Sequence, residues 1–370
     1  MGANGYTMGE GLYWLAWQLA MPGQARRVWE IVEAAGGPRR AWEAPTAQLA
    51  EILGDRGRAA EIAARREAVD PPGELRRLEG DGLKVLTYAD GDYPEQLRTI
   101  SDPPPALFVR GTLPAGSQYV AIVGTRRASS YGRTVAARLA AGMARAGVVV
   151  VSGLARGVDA AAHRGALEAG GRTVAVLGCG PDVVYPREHA ALRDEIVASG
   201  ALVTEFPPGT PPEPWHFPVR NRIISGLSRA VVVVEAGEKS GALITADLAL
   251  EQGRDVLAVP GHITSPLSRG PNRLIKQGAR LVEGPEDVLD ELGIGTIVCG
   301  PELGTAAPRL APDEERLYGL LGPEPVPLDV LVARSGLPPQ AAAAALVYLE
   351  MKGLVRRLPG SAYMKRELEW

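Results

Sequence analysis

The chain of 370 residues carries 40 Lys and Arg against 43 Asp and Glu, a net charge of -3, and is 46% hydrophobic. That length allows more than one domain, and the charge excludes a globally basic nucleic-acid binder, so any polyanion must meet a local patch. Two cysteines far apart, Cys179 and Cys299, and four histidines without ligand spacing exclude a disulfide framework and argue against a metal site.

No run reads as a membrane span or a secretory signal, and a cytoplasmic location is expected. In chain order, residues 1–70 read as an N-terminal helical domain (SAM/helix-hairpin-helix-like). Apolar residues recur at helical spacing in LYWLAWQLA, RVWEIVEAA and AQLAEIL. Trp14, Trp17, Trp29 and Trp42 suit base stacking in isolation, but at this spacing they favour the core of a small bundle. Asp70-Pro71-Pro72-Gly73 reads as a linker, 84–87 as a short strand, and 93–105 as proline-bound extended chain leading into 106–109.

Residues 71–297 form the main domain, in which strand and helix alternate. Strands are expected at 120–123, 148–151, 173–177, 202–204, 230–234 and 256–259. Helices are expected at 134–146, 158–169, 189–199, 220–226 and 244–251. Near-continuous apolar strands separated by such helices predict an α/β fold, a Rossmann-like, doubly wound, mostly parallel sheet with ligands beyond its carboxyl edge. Residues 298–312 read as a Gly/Pro/Ala linker. Residues 313–370, three helices closed by a ribbon, predict a winged-helix domain. The third of those helices, QAAAAALVYLEMKG, has almost nothing to read base edges, which favours protein docking or a structural cap.

The strand ends carry the chemistry. The first gives Gly124, Thr125, Arg126 and Arg127, then Ser129 and Ser130, before a helical pattern near Arg133. A helix starting there aims unpaired N–H groups and the positive end of its dipole at the turn, a seat for phosphate. The second end gives Ser152, Gly153 and Arg156, followed by Asp159 and His163. These last two read as a carboxylate holding the glycine turn and a hydrogen-bonded core residue. Neither GTRRAS nor SGLARG is a dinucleotide or Walker loop, so no cofactor is expected. Phe217, Arg220, Asn221 and Arg222 open the helix before the fifth strand. They suit a single strand, the ring stacking a base and guanidinium groups gripping phosphates. They equally suit a core ring with arginines paired to Glu205 or Glu235. Basic turns at Arg126/Arg127, Arg220/Arg222 and Lys239 favour the polyanion groove.

Taken in order, IVGTRRASSYG, VVSGLARGVDAAAH, AVLGCGPDVVYP, FPVRNRIISGLS, VVVEAGEKSGALITADLALEQGR and VPG…SRGPNRLIKQGA closely resemble the DNA-processing protein A (DprA/Smf) family, over roughly 93–282. The resemblance implies a binding protein without catalytic or metal residues. It implies sequence-independent binding and protection of single-stranded DNA entering in natural transformation, loading of RecA onto it for recombination, and a homodimer through the Rossmann domain. Carried over by motif, the DNA groove comprises Gly124, Thr125, Arg126, Arg127, Ser129, Ser130, Phe217, Arg220, Asn221, Arg222 and Lys239, with Ser152, Gly153 and Arg156 in its floor. Pro214 stands where some relatives carry lysine.

Two other readings compete. The segment EKSGALITADLALE is similar to part of the nucleotide-cleaving Rossmann enzymes that hydrolyse nucleoside monophosphates, but lacks their double glycine. A winged-helix transcriptional regulator would draw on Lys365 and Arg366 of the wing.

Overall fold

The computed structural model describes residues 9–294, 310–322, 325–352, 354–358 and 361–365. They fall into two compact units, within Met1–Ile297 and within Val298–Trp370. Cys299, Arg366 and all but the last three residues of the expected 298–312 linker lie outside the described residues.

The first unit opens with helices α1 (Gly11–Ala20), α2 (Ala25–Ala35), α3 (Pro38–Glu43), α4 (Thr46–Leu53) and α5 (Arg56–Glu67). Trp14 and Trp17 are fully buried in their shared core, with Trp29 and Trp42 packed against it. The rings meet pairwise, Trp14 and Trp29 at 4.6 Å and Trp17 and Trp42 at 5.2 Å between centroids. These tryptophans are bundle core. The 70–73 stretch, expected as a linker, instead opens α6 (Pro71–Gly80). Two prolines are tolerated there because the first helical N–H groups have no intrahelical acceptor to lose. Leu78 of α6 packs with Leu15 of α1 and with Phe108, tying the helices to the sheet.

Among the described residues nine strands make one sheet, in the order β1-β2-β6-β5-β4-β3-β7-β8-β9. The strands are β1 (Lys84–Thr87), β2 (Ala106–Gly111), β3 (Tyr119–Val123), β4 (Val149–Ser152), β5 (Thr173–Val176), β6 (Ala201–Thr204), β7 (Ala230–Val233), β8 (Asp255–Ala258) and β9 (Arg280–Leu281). From β6 to β9 every pairing is parallel, while β1 and β2 add antiparallel strands at one edge. The connecting helices are α7 (Glu95–Arg98), α8 (Ser130–Arg145), α9 (Val158–Glu168), α10 (Ala190–Ser199), α11 (His216–Leu227), α12 (Gly241–Glu251), α13 (Arg269–Lys276) and α14 (Pro285–Glu291). Helix α7 puts one helical turn into the segment expected to be extended. The central strands are buried along their whole length and separate two apolar clusters. This is the doubly wound sheet the alternating pattern predicts. Winding reverses between β3 and β7, which pair from Val120↔Ala230 to Val123↔Val233. That point is where the carboxyl edge of such a sheet leaves a crevice.

In the second unit α15 (Pro312–Leu320), α16 (Leu328–Ser335) and α17 (Pro339–Met351) enclose Leu317, Leu331, Leu346 and Leu349. Strands β10 (Val326–Pro327), β11 (Val355–Leu358) and β12 (Ala362–Lys365) pair as β10-β12-β11, completing a winged helix. The two-residue β10 is too short to leave a periodic signal in the sequence. No single helix among the described residues is long and apolar enough to cross a membrane.

Candidate nucleic-acid interface

The crevice at the switch point has two lobes. One is walled by Arg126, Gly153, Arg156, Tyr185, Phe217 and Arg220 among others. The other takes in Gly124, Thr125, Arg127, Asn221 and Ser240, and shares Arg126, Phe217 and Arg220 with the first. The first lobe encloses only about 20 Å³, room for little more than a water, so a nucleobase can stack at its mouth and not within it. The second holds about 380 Å³.

Phe217 stands where the lobes meet. Helix α11 starts at His216, earlier than the sequence pattern suggests, and this puts the ring in its first turn. The ring lies across Gly178, where a β-carbon would meet it at 3.0 Å. Tyr185 flanks it at 5.5 Å between centroids, and the Arg126 guanidinium sits 4.9 Å from its centroid. Such a cation over a ring face is attracted by the ring quadrupole, and it sets a group able to meet a phosphate beside a ring able to stack a base. Tyr185 ends the third strand's loop, and nothing in its sequence context marks it as the partner of Phe217.

Arg220 is nearly buried, 4% exposed, and donates to Gly153 O at 2.9 Å and to Val176 O. Its guanidinium fills the space over Gly153, where a β-carbon would lie 2.6 Å from Nη2. Burial lowers it to about 10, which leaves it cationic at neutral pH. Asp159 accepts from the N–H groups of Gly153 and Ala155 and so holds the glycine turn. Burial pushes its carboxyl up, against the pull of Arg220 and those two N–H groups. Cys179, also on the first lobe, has its thiol pushed up to about 11 by burial and is a poor nucleophile.

The N-terminus of α8, expected as a phosphate seat, is already taken by the chain's own carboxylate. Glu235 accepts from Ser129 N at 2.9 Å and from Ser129 Oγ at 2.6 Å, while Ser129 Oγ caps Gly132 N at 3.0 Å. A carboxylate there neutralises the helix dipole that would have drawn an anion. Glu235 O also accepts from Thr125 N at 2.7 Å, so one residue sets the shape of the first turn. Ser240, Gly241 and Ala242, which open α12, line the second lobe in its place.

The remaining residues singled out in the sequence divide between the lobes and other places. Ser130 is exposed and accepts from Arg133 Nη2 at 3.3 Å. Ser152 is fully buried and donates to Ile122 O. Arg156 is exposed and ion-paired with Glu188. Asn221 is 9% exposed and reaches Gly241 O at 3.4 Å. Arg222 is 5% exposed and bridges Glu205 at 2.6 Å and Asp102 at 3.3 Å, on the wall of a different cleft. Lys239 is exposed in the turn before α12. Gly124, Thr125, Arg126, Arg127, Gly153, Arg156, Phe217, Arg220 and Asn221 therefore converge, whereas Ser129, Ser130, Ser152, Arg222 and Lys239 line neither lobe.

Residues 84–293 match the family model of DNA recombination-mediator protein A, and residues 301–361 that of the DprA winged helix domain. The chain belongs to the DNA processing protein A family. Relatives of this family member include Protein Smf of Escherichia coli K12, 44% identical over 74% of this chain and 76% of the relative. DNA processing protein DprA of Streptococcus pneumoniae R6 is 46% identical over 56% of this chain and 73% of its own length. Among solved structures, the X-ray structure of DNA processing protein A from S. pneumoniae is similar at a TM-score of 0.67 and 38% identity, covering 75% of this chain and 97% of that one. A DNA processing protein A structure from Helicobacter pylori, described by its single-stranded DNA binding mode, reaches a TM-score of 0.51 at 29% identity, over 57% and 95%.

Proposed function

We propose that this DNA processing protein A relative holds single-stranded DNA, without reading its sequence, in the two-lobed crevice between β3 and β7. The observation that carries this is Phe217, seated on Gly178 at the rim with Arg126 over its face. A stacking ring beside guanidinium groups is what a strand with free bases and a charged backbone requires. The relative whose structure is described by single-stranded DNA binding supports the same substrate. The strand is DNA entering in natural transformation, which the protein protects and hands to RecA, acting as a homodimer through the Rossmann domain. The family resemblance supports these finer roles. Binding without catalysis is proposed because the one carboxylate among the described residues lining the lobes, Asp159, is held by two backbone N–H groups.

The test is fluorescence anisotropy of a labelled oligothymidine across a salt series, with unlabelled duplex as competitor. Binding should weaken steeply with salt and resist the duplex. Arg126→Ala should lower affinity for every sequence alike and flatten the salt slope by about 0.7, one phosphate on a single strand. Phe217→Ala should cost about 1–3 kcal/mol with the salt slope unchanged. Displacement by duplex would point to the winged helix and a regulator, and an absence of binding at low salt would refute the reading.

A further inference from the structure

A second cleft, of about 810 Å³, lies where the N-terminal helices meet α11 and α12. Pro218 and Ile244 belong both to this cleft and to the second lobe of the crevice, so the two adjoin across these side chains. Its opposite wall is the start of α2, from Gly23 to Arg27, with Arg58 of α5. Gln24 provides no side-chain cap for α2, leaving the positive end of that helix's dipole facing the cleft.

Two buried donors on the cleft wall point independently to an anion. Arg222 is 5% exposed; Glu205 and Asp102 hold its Nη2 and Nε, but its Nη1 has no hydrogen-bond partner. Arg27 likewise leaves Nη1 buried and unpartnered. Buried guanidinium nitrogens normally find acceptors, and two such orphans beside one cleft call for one from outside the chain. The acidic residues on the wall do not supply it. Glu30 is paired with Arg26 at 3.6 Å, and Asp102 with Arg222.

We propose that this cleft takes backbone phosphates of the same single DNA strand as it leaves the Arg126–Phe217 crevice past Pro218 and Ile244. The N-terminal helices are then part of the DNA path, with Arg26, Arg27 and Arg58 as its phosphate ligands. Ile244, 43% exposed, offers an apolar wall for a base at the crossing. This rests on the crevice being the DNA site.

The experiment uses the full chain and two labelled oligothymidines, of about 6 and about 20 nucleotides, the shorter confined to the crevice and the longer able to reach α2. The variant is Arg26→Glu with Arg58→Glu, both exposed side chains, and its thermal melting is compared with that of the parent. The longer strand should bind about tenfold more weakly, with a salt slope flatter by about 1.4, while the shorter stays within about twofold. Equal loss at both lengths, or no loss at either, would overturn the proposal. Should the parent protein bind neither strand, or Arg126→Ala leave the short strand unaffected, the crevice reading falls and this inference falls with it.

Discussion

His163 shows how one side chain's surroundings dictate its chemistry. It is fully buried on α9, its Nδ1 2.7 Å from Thr173 Oγ1, and that hydroxyl donates to Val150 O. The Thr173 proton is therefore committed, so His163 Nδ1 carries the hydrogen and the ring is neutral. Burial, then the positive charges of His189 and Arg220, lower its pKa from 6.5 to about 3. Above pH 6.5 both folded and unfolded states are neutral here, and stability is unaffected. Between 6.5 and about 3 the unfolded state binds a proton that the folded state refuses, so stability falls as pH falls. Denaturant melts should show about 2 kcal/mol lost from this group between pH 7 and pH 5, and a smaller loss in His163→Gln whatever its starting stability.

At the scale of elements, α11 does two jobs with adjacent residues. Its first turn presents Phe217 to the crevice, and one helical step later Arg220 turns inward to the carbonyls of Gly153 and Val176. Arg222 points elsewhere, to Glu205 and Asp102. Both arginines invite a phosphate reading in sequence, yet the Arg222–Glu205 pair is buried and structural. Arg222→Ala would leave Glu205 buried without its cation, and should destabilise the fold by about 3–5 kcal/mol, measured by denaturant unfolding. Arg126→Ala, which removes an exposed group, should melt within about 0.5 kcal/mol of the parent. The contrast separates a residue that holds the fold together from one that faces into the crevice.

At the scale of the whole molecule, the helices α1–α6 are anchored to the sheet through Leu15, Leu78 and Phe108. Gln18 of α1 adds a bond from Nε2 to Glu205 O at 2.7 Å. The winged helix forms a separate unit with its own apolar core. A chain ending at residue 297 should therefore keep its cooperative melt in calorimetry and bind oligothymidine within about threefold of the full chain. A truncation that removes α1–α6 should unfold, because it strips Leu15 and Leu78 from Phe108.

Much of this was legible in the sequence, for local reasons. Runs such as VAIV and VVVV are apolar without alternation because both faces of the sheet are covered, and the turns between them begin where glycine and charge interrupt the run. The six quoted motifs were enough to suggest the family. Local pattern also indicated that Asp159 would hold a glycine turn and that the tryptophans would form a core. The tertiary structure alone decided which of these side chains face the crevice. Ser129 and Arg222 look as exposed in sequence as Arg126 and Arg127, but Glu235 and Glu205 reach them across separations of 106 and 17 residues. Phe217 takes its surroundings from Gly178 and Tyr185, both after β5, and from Arg126, after β3. Periodicity reports which face of an element is buried; it carries no information on which distant group will neutralise a charge, because that depends on where the sheet brings strand ends together.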